Sequence, residues 1–130
     1  MLVSEGKRRG ADMHRIMIID DERKIRKLFK TLLTEEDFEV LEAATWEEAT
    51  MKLLQDKDIE LFLLDIRMPE IDGAGLFQAI KLYNKNAKVI VTSVYSLQDQ
   101  KRMISKADDY FDKSEGTDSL VRKVKMALAA

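Results

Sequence analysis

The segment IELFLLDIRMPEIDG, residues 59–73, decides how this chain folds. Its first half is a short and dense apolar run that stops at Asp65, and Pro69 and Gly73 follow soon after. An apolar run that is ended by a carboxylate and then by a proline and a glycine predicts a buried β-strand leading into a loop. The strand therefore delivers one acid, Asp65, to that loop.

A second apolar run, residues 16–19, also ends in acid, at Asp20 and Asp21. Packing alone does not explain why two buried strands should both finish in carboxylates. We predict that these acids gather with Asp65 at one edge of a sheet. Carboxylate oxygens are the ligands that hard divalent cations prefer, so the cluster indicates a metal site.

Strand-like and helix-like segments alternate along the chain. The predicted strands are residues 16–19, 38–43, 59–65, 89–93 and 109–112. Each is followed by a helix-like segment, although residues 97–106 are polar and only weakly helical. Within the second helix, Thr45 and Glu48 match a capping box, and Met51 is expected to pack inside. Five such units predict an α/β fold, a doubly wound five-stranded parallel sheet with helices on both faces.

The residues whose side chains could take part in catalysis or binding all fall at the carboxyl edge of that predicted sheet. Asp20 and Asp21 end the first strand, and Asp65 ends the third. Ser93 ends the fourth strand, and Lys113 follows the fifth. Because open parallel sheets bind ligands outside the carboxyl ends of their strands, we predict the functional site here.

Composition excludes several classes of protein. At 130 residues the chain is one domain, and its net charge of −2 gives no basis for direct nucleic-acid binding. The absence of cysteine excludes disulfides and cysteine-based zinc sites. Since there is neither a signal peptide nor a run long enough to span a membrane, we expect a cytoplasmic protein without membrane contact. Residues 1–13 are expected to form a flexible N-terminal arm, and residues 14–130 the domain.

Two segments carry a family motif: LDIRMPEIDG at residues 64–73 and DDYFDK at residues 108–113. Together with the acidic pair after the first strand, they resemble the response-regulator receiver domain of two-component signal transduction. The resemblance covers residues 14–129. It implies a flavodoxin-like sheet with strand order 2-1-3-4-5, in a phosphorelay protein that switches an interaction surface when it is phosphorylated.

The resemblance implies a phosphoacceptor and a metal site. Asp65 would accept a phosphoryl group from a sensor histidine kinase or a histidine phosphotransfer protein. Asp20, Asp21 and Asp65 would hold Mg²⁺, or Mn²⁺ in its place, together with the backbone carbonyl of Arg67. Three carboxylates within about 4–6 Å repel by a few kcal/mol per pair at an effective dielectric near 20, so a cation is needed to keep them ionised.

The resemblance also implies roles for residues around the acceptor. Ser93 and Lys113 would each contact a phosphoryl oxygen. Ser93 and Tyr110 would form the switch, with Tyr110 turning inward once the hydroxyl moves. Arg67 and Tyr95 would tune the access of hydrolytic water, and two bulky side chains there predict slow dephosphorylation. The domain would catalyse only its own phosphorylation and dephosphorylation and would not be an enzyme in the ordinary sense.

The sequence departs from the family pattern toward its carboxyl end. Ser114 follows Lys113 where a proline is usual, and Glu115 stands where a hydrophobic residue commonly packs. The stretch between Ser93 and Lys113 is about two residues shorter than the family leads one to expect. We therefore predict a short, shifted or partly unwound fourth helix and a less rigid hold on Lys113.

Other interpretations remain open at this stage. Asp20 or Asp21 could simply cap the first helix, and Thr92 is an alternative to Ser93 as the hydroxyl. A haloacid-dehalogenase-like phosphatase would need a second Asp two residues after the first, where this chain has Arg67. A pseudo-receiver would keep the fold without taking phosphate.

The chain stops directly after its last helix, which leaves two possibilities. It is either a stand-alone receiver that acts by protein contact or a fragment of a longer regulator. We expect an unknown downstream protein as the target and a possible weak homodimer.

Overall fold

The computed structural model describes residues 13–66 and 73–129, and in them five parallel strands form one sheet in the order β2-β1-β3-β4-β5. The strands are β1 (Arg15–Ile19), β2 (Glu39–Ala43), β3 (Leu61–Asp65), β4 (Lys88–Ser93) and β5 (Asp109–Asp112). The helices are α1 (Arg23–Glu35), α2 (Trp46–Gln55), α3 (Gly73–Tyr83), α4 (Leu97–Met103) and α5 (Thr117–Ala129). The predicted doubly wound α/β fold and its strand order are confirmed.

Strand β3 lies at the centre of the sheet, hydrogen-bonded to β1 on one side and β4 on the other. Each of its residues, Leu61 to Asp65, is buried. The sequence of a strand that is covered on both faces is a continuous apolar run rather than an alternation of apolar and polar residues. This is why the segment is distinctive in the sequence.

Two hydrophobic cores lie on opposite faces of the sheet, and strand residues alternate between them. One core includes Met17, Ile19, Phe62, Leu64, Val89 and Val91, with Leu53 of α2 and Leu76 and Ile80 of α3. The other includes Ile16, Ile18, Leu61, Leu63 and Ile90, with Phe29 and Leu33 of α1 and Leu120 and Val124 of α5. Burying both faces leaves the strand ends and the loops that follow them as the place for polar chemistry.

Helix α2 begins with the predicted capping box. Thr45 Oγ1 accepts a hydrogen bond from the Glu48 N–H, and Glu48 Oε1 accepts one from the Ala44 N–H. The prediction that Met51 packs inside is wrong, because its side chain is 59% exposed. Met51 lies two residues from the buried Ala49 and Leu53, and residues two apart on a helix do not share a face.

Helix α4 is short, as predicted, with seven residues. Ser96 caps it by accepting a hydrogen bond from the Asp99 N–H. Its centre is held by Gln100, which is fully buried and whose Nε2 donates to the carbonyls of Tyr95 and Phe111. A polar side chain therefore anchors this helix to the sheet.

Two parts of the sequence interpretation fall on residues that the structure does not describe. Residues 1–12 of the expected arm and Arg67 lie outside the described ranges, so the domain boundary at residue 14 and the roles of Arg67 stay predictions. Among the helices of residues 13–66 and 73–129, none has the length and apolar character needed to cross a membrane.

Candidate phosphoacceptor and metal site

Three carboxylates meet at the carboxyl edge of the sheet. Asp20 directly follows β1, Asp21 comes next, and Asp65 is the last residue of β3. Asp20 and Asp65 are almost fully buried, whereas Asp21 is exposed. One oxygen from each of the three lies within 4.8 Å of the others. The structure thus brings together the acidic cluster that the sequence places at this edge.

Asp20 is fixed from several sides by its neighbours. Its N–H donates to the Ala43 carbonyl (3.1 Å), and its Oδ1 accepts from the Glu22 N–H (2.8 Å). Arg26 of α1 donates through Nη1 to the Asp20 carbonyl (2.7 Å) and through Nε to Glu42 of β2 (3.3 Å). Sequence reasoning missed Arg26, because nothing in a basic helix singles out the one side chain that reaches back to the loop.

The interpretation that Asp20 or Asp21 caps the first helix is wrong, because neither acid is the N-cap of α1. The N-cap of α1 is Glu22, whose own side chain makes no capping hydrogen bond. Asp20 accepts from the Glu22 N–H and so helps to order the turn that leads into the helix. This hydrogen bond uses Oδ1, while Oδ2 of the same carboxylate faces the Lys113 ammonium.

Lys113 places its ammonium between two of the acids. Its Nζ lies 2.7 Å from Asp20 Oδ2 and 3.2 Å from Asp65 Oδ2, and its side chain is only 10% exposed. Burial lowers the pKa of Lys113, but the bond and charge of Asp20 and Asp65 more than offset this, so the pKa lies above its ordinary value. The lysine is therefore positively charged at neutral pH and neutralises part of the cluster.

Ser93, the last residue of β4, is fully buried, and its Oγ accepts a hydrogen bond from the Tyr95 N–H (3.2 Å). Its carbonyl accepts from the Lys113 N–H (2.7 Å), which ties the ends of β4 and β5 together. Thr92 is equally buried, so burial does not choose between the two hydroxyls. Alternation puts Ser93 on the sheet face of Val91, whose core also contains Tyr110.

Tyr110 lies inside the protein in this structure. It is 7% exposed, and its hydroxyl donates to the Ile104 carbonyl just after α4. Tyr95, in contrast, is 37% exposed in the loop between β4 and α4. The two aromatics thus flank α4 at its two ends, one buried and one at the surface.

The chemistry of the donor set fits a hard divalent cation. Mg²⁺ takes oxygen ligands, and it is typically held by one or two carboxylates with substrate phosphate oxygens and water. Three carboxylates that converge within 4.8 Å and receive the charge of one lysine are consistent with Mg²⁺ binding.

Comparison with known proteins identifies the family. The family model described as the response regulator receiver domain matches residues 16–125. The transcriptional regulatory protein CpxR of Escherichia coli K12 is 32% identical over 117 residues, which is 89% of this chain and 50% of that protein. The chain spans about half, or less, of the length of the curated relatives it matches.

Solved structures agree with this match. The crystal structure of response regulator TrrA from Thermotoga maritima in complex with Mg²⁺-BeF has a TM-score of 0.79 and 38% identity, covering 88% of this chain and 99% of that one. A chain in the complex of the CheA3 P1 domain with CheY6 from R. sphaeroides has a TM-score of 0.73 and 28% identity, covering 90% and 98%. The chain therefore belongs to the response regulator receiver domain family, a signalling module of two-component systems and not a classical enzyme.

Proposed function

We propose that Asp65 is the phosphoacceptor of this receiver domain. The observation that carries the proposal is the position of Asp65 at the end of the central strand, nearly buried, with the Lys113 ammonium 3.2 Å from its Oδ2 and two more carboxylates within 4.8 Å. A buried carboxylate beside a fixed cation and a metal-binding cluster is a positioned nucleophile, and phosphoryl transfer needs little else.

In the proposed reaction a carboxylate oxygen of Asp65 attacks the phosphorus of a phosphohistidine on a histidine kinase or a phosphotransfer protein. The new O–P bond forms an acyl phosphate, the P–N bond breaks, and the departing imidazole nitrogen takes up a proton. Lys113 stabilises the negative charge on the phosphoryl oxygens. Mg²⁺ held by Asp20, Asp21 and Asp65, with the Arg67 carbonyl as a further ligand, would neutralise the same charge, and Mn²⁺ is expected to substitute for it.

Phosphorylation would act through Ser93 and Tyr110. An acyl phosphate brings about two negative charges to the site, and the Ser93 hydroxyl would leave the Tyr95 N–H to donate to a phosphoryl oxygen. Tyr95 lies in the loop that leads into α4, and the Tyr110 hydroxyl donates to the carbonyl of Ile104, the residue that follows α4. The change at Ser93 would therefore bias the position of α4. We propose that the surface around this helix contacts the downstream protein or a second copy in a weak homodimer.

Arg67 and Tyr95 would limit the access of water to the acyl phosphate, so that the domain's own dephosphorylation is slow. The complex of the CheA3 P1 domain with CheY6 supports a protein partner for this domain, which we propose to be the phosphodonor. We place the reaction in the cytoplasm, where the ATP that charges such kinases is found.

The first experiment is intact-mass analysis after incubation with Mg²⁺ and acetyl phosphate. We expect a single phosphoryl adduct that disappears in Asp65→Asn and when EDTA removes the metal. Asp58→Asn is the matched control, because Asp58 is an exposed acid at the opposite edge of the sheet and its loss should leave the adduct intact. Wild-type protein that forms no adduct, and that also fails to bind beryllium fluoride with Mg²⁺, would favour the pseudo-receiver.

A further inference from the structure

The turn after β5 is built from side-chain hydrogen bonds and not from a proline. Asp112 Oδ1 accepts from both the N–H and the Oγ of Ser114, at 2.9 and 2.7 Å. The Glu115 N–H donates to the Asp112 carbonyl at 2.7 Å. Lys113 sits inside this turn, so the conformation of its main chain depends on these polar contacts.

Glu115 joins the turn to the strand and to the last helix. Its Oε2 accepts from the Asp112 N–H (2.9 Å) and from Lys123 Nζ (3.3 Å), and its Oε1 accepts from Ser119 Oγ (2.7 Å). Lys123 of α5 also donates to the Tyr110 carbonyl of β5. We call Asp112, Ser114, Glu115, Ser119 and Lys123 the polar clamp.

The hydrogen bonds of the polar clamp favour the ionised form of Glu115. Partial burial raises the pKa of Glu115, but the hydrogen bonds from the Asp112 N–H, Ser119 and Lys123 more than offset it, so the pKa lies below its ordinary value. The side chains of Glu115 and Lys123 are 25% and 18% exposed, respectively, so water screens this pair only in part. An ionised carboxylate accepting three hydrogen bonds is a stronger anchor than a neutral group would be.

We propose that Glu115 is a positioning residue for Lys113, acting through the polar clamp to fix where the Lys113 ammonium lies. The Lys113 main chain is held on one side by the Ser93 carbonyl and on both flanks by residues of the clamp. From that fixed point its side chain reaches Asp20 and Asp65. Glu115 thus stands in for the hydrophobic packing and the proline that the sequence lacks here.

The expected change in phosphorylation rate rests on the proposed function of Asp65. The expected change in the position of the Lys113 ammonium does not. If the clamp loosens, the Lys113 ammonium moves from its place, whether or not the protein accepts phosphate. A misplacement of about 1 Å in a catalytic group can cost about 100-fold in rate, so a partial loosening should cost about tenfold. Asp20 and Asp21 follow β1 and Asp65 ends β3, so the carboxylates themselves belong to other elements than the clamp.

The test compares Glu115→Ala with the matched control Glu35→Ala, an exposed acid on α1. We expect phosphorylation by acetyl phosphate to slow about tenfold in Glu115→Ala and not to slow in the control. The NMR signal of the Lys113 side-chain ammonium should shift or broaden in Glu115→Ala even without phosphate. A merely structural role would change stability while leaving that signal in place.

Two further variants protect the test against misfolding. Glu115→Gln keeps the size of the side chain but removes its charge, and Lys123→Met breaks the clamp from the helix side. Both should shift the Lys113 signal in the same direction as Glu115→Ala. An unchanged Lys113 signal and rate in folded variants would overturn the inference. If the wild type forms no adduct, the proposed function of Asp65 fails, and the NMR comparison alone decides the role of the clamp.

Discussion

At the scale of single residues, the site balances three carboxylates against one lysine. Two unit charges about 4 Å apart interact by about 4 kcal/mol at an effective dielectric of 20, so the arrangement of these few charges dominates the local energetics. Lys113 lies 2.7 Å from Asp20 and 3.2 Å from Asp65. Its ammonium therefore occupies part of the field that would attract a cation.

Removing this charge should tighten metal binding. We expect Lys113→Met to bind Mg²⁺ about tenfold more tightly than the wild type, because the metal no longer competes with an ammonium for the same carboxylates; tenfold corresponds to about 1.4 kcal/mol. Isothermal titration calorimetry measures the change. Lys57→Met, an exposed lysine beyond the other edge of the sheet, is the control, and weaker Mg²⁺ binding by Lys113→Met would contradict the prediction.

At the scale of elements, α4 is held to the sheet by polar as well as apolar contacts. It has seven residues, and the fully buried Gln100 holds it to the sheet through the carbonyls of Tyr95 and Phe111. A helix this short has little stability of its own. Its position therefore depends on these hydrogen bonds and on the bond from Tyr110 to the Ile104 carbonyl.

Gln100→Leu should destabilise the protein despite its similar size. The change leaves two carbonyls near the buried amide without their donor, which costs about 2 kcal/mol of unfolding free energy. Urea denaturation followed by circular dichroism measures this cost. Gln98→Leu, on the exposed side of the same helix, should change the unfolding free energy by less than about 0.5 kcal/mol. Equal stabilities of the two variants would show that apolar contacts hold α4.

At the scale of the whole molecule, the sheet separates packing from chemistry. Its two faces carry the two hydrophobic cores, and its carboxyl edge carries the acids, Ser93 and Lys113. Acidic groups that are ionised more readily in the folded protein couple this edge to pH. The pKa of Asp112 is lowered by its hydrogen bonds from the Ser114 backbone and side chain, and that of Glu115 by the polar clamp despite its burial.

These lowered pKa values predict where stability falls in acid. A carboxyl group with a depressed pKa in the folded state stabilises the protein above its unfolded value, about 3.8 for Asp112 and 4.5 for Glu115, and that contribution is lost as the pH falls through the folded pKa. Unfolding free energies measured in urea between pH 7 and pH 3 should fall less steeply for Glu115→Gln than for the wild type. A parallel fall in both proteins would contradict this.

The fold, and the meeting of the three acids with Lys113 at the carboxyl edge of the sheet, could be predicted from the sequence. Strands such as residues 61–65 can be recognised in the sequence because a central parallel strand is covered on both faces and is therefore a continuous apolar run. The acids that end these strands meet because parallel strands finish at the same edge of the sheet. The shortened stretch between Ser93 and Lys113 also predicted the short α4. The interpretation of Met51 failed because its place on the helix, and not its apolar character, decides its exposure.

Which polar side chains contact the site and the elements around it depends on the tertiary structure. Arg26 reaches the Asp20 carbonyl, Gln100 anchors α4, and Glu115 ties the Lys113 turn to α5. In the sequence each is an ordinary surface-type residue, and Ser114 and Glu115 look like losses from the family pattern. Their partners are brought within hydrogen-bonding distance by packing between elements, and that proximity cannot be read from local pattern or composition.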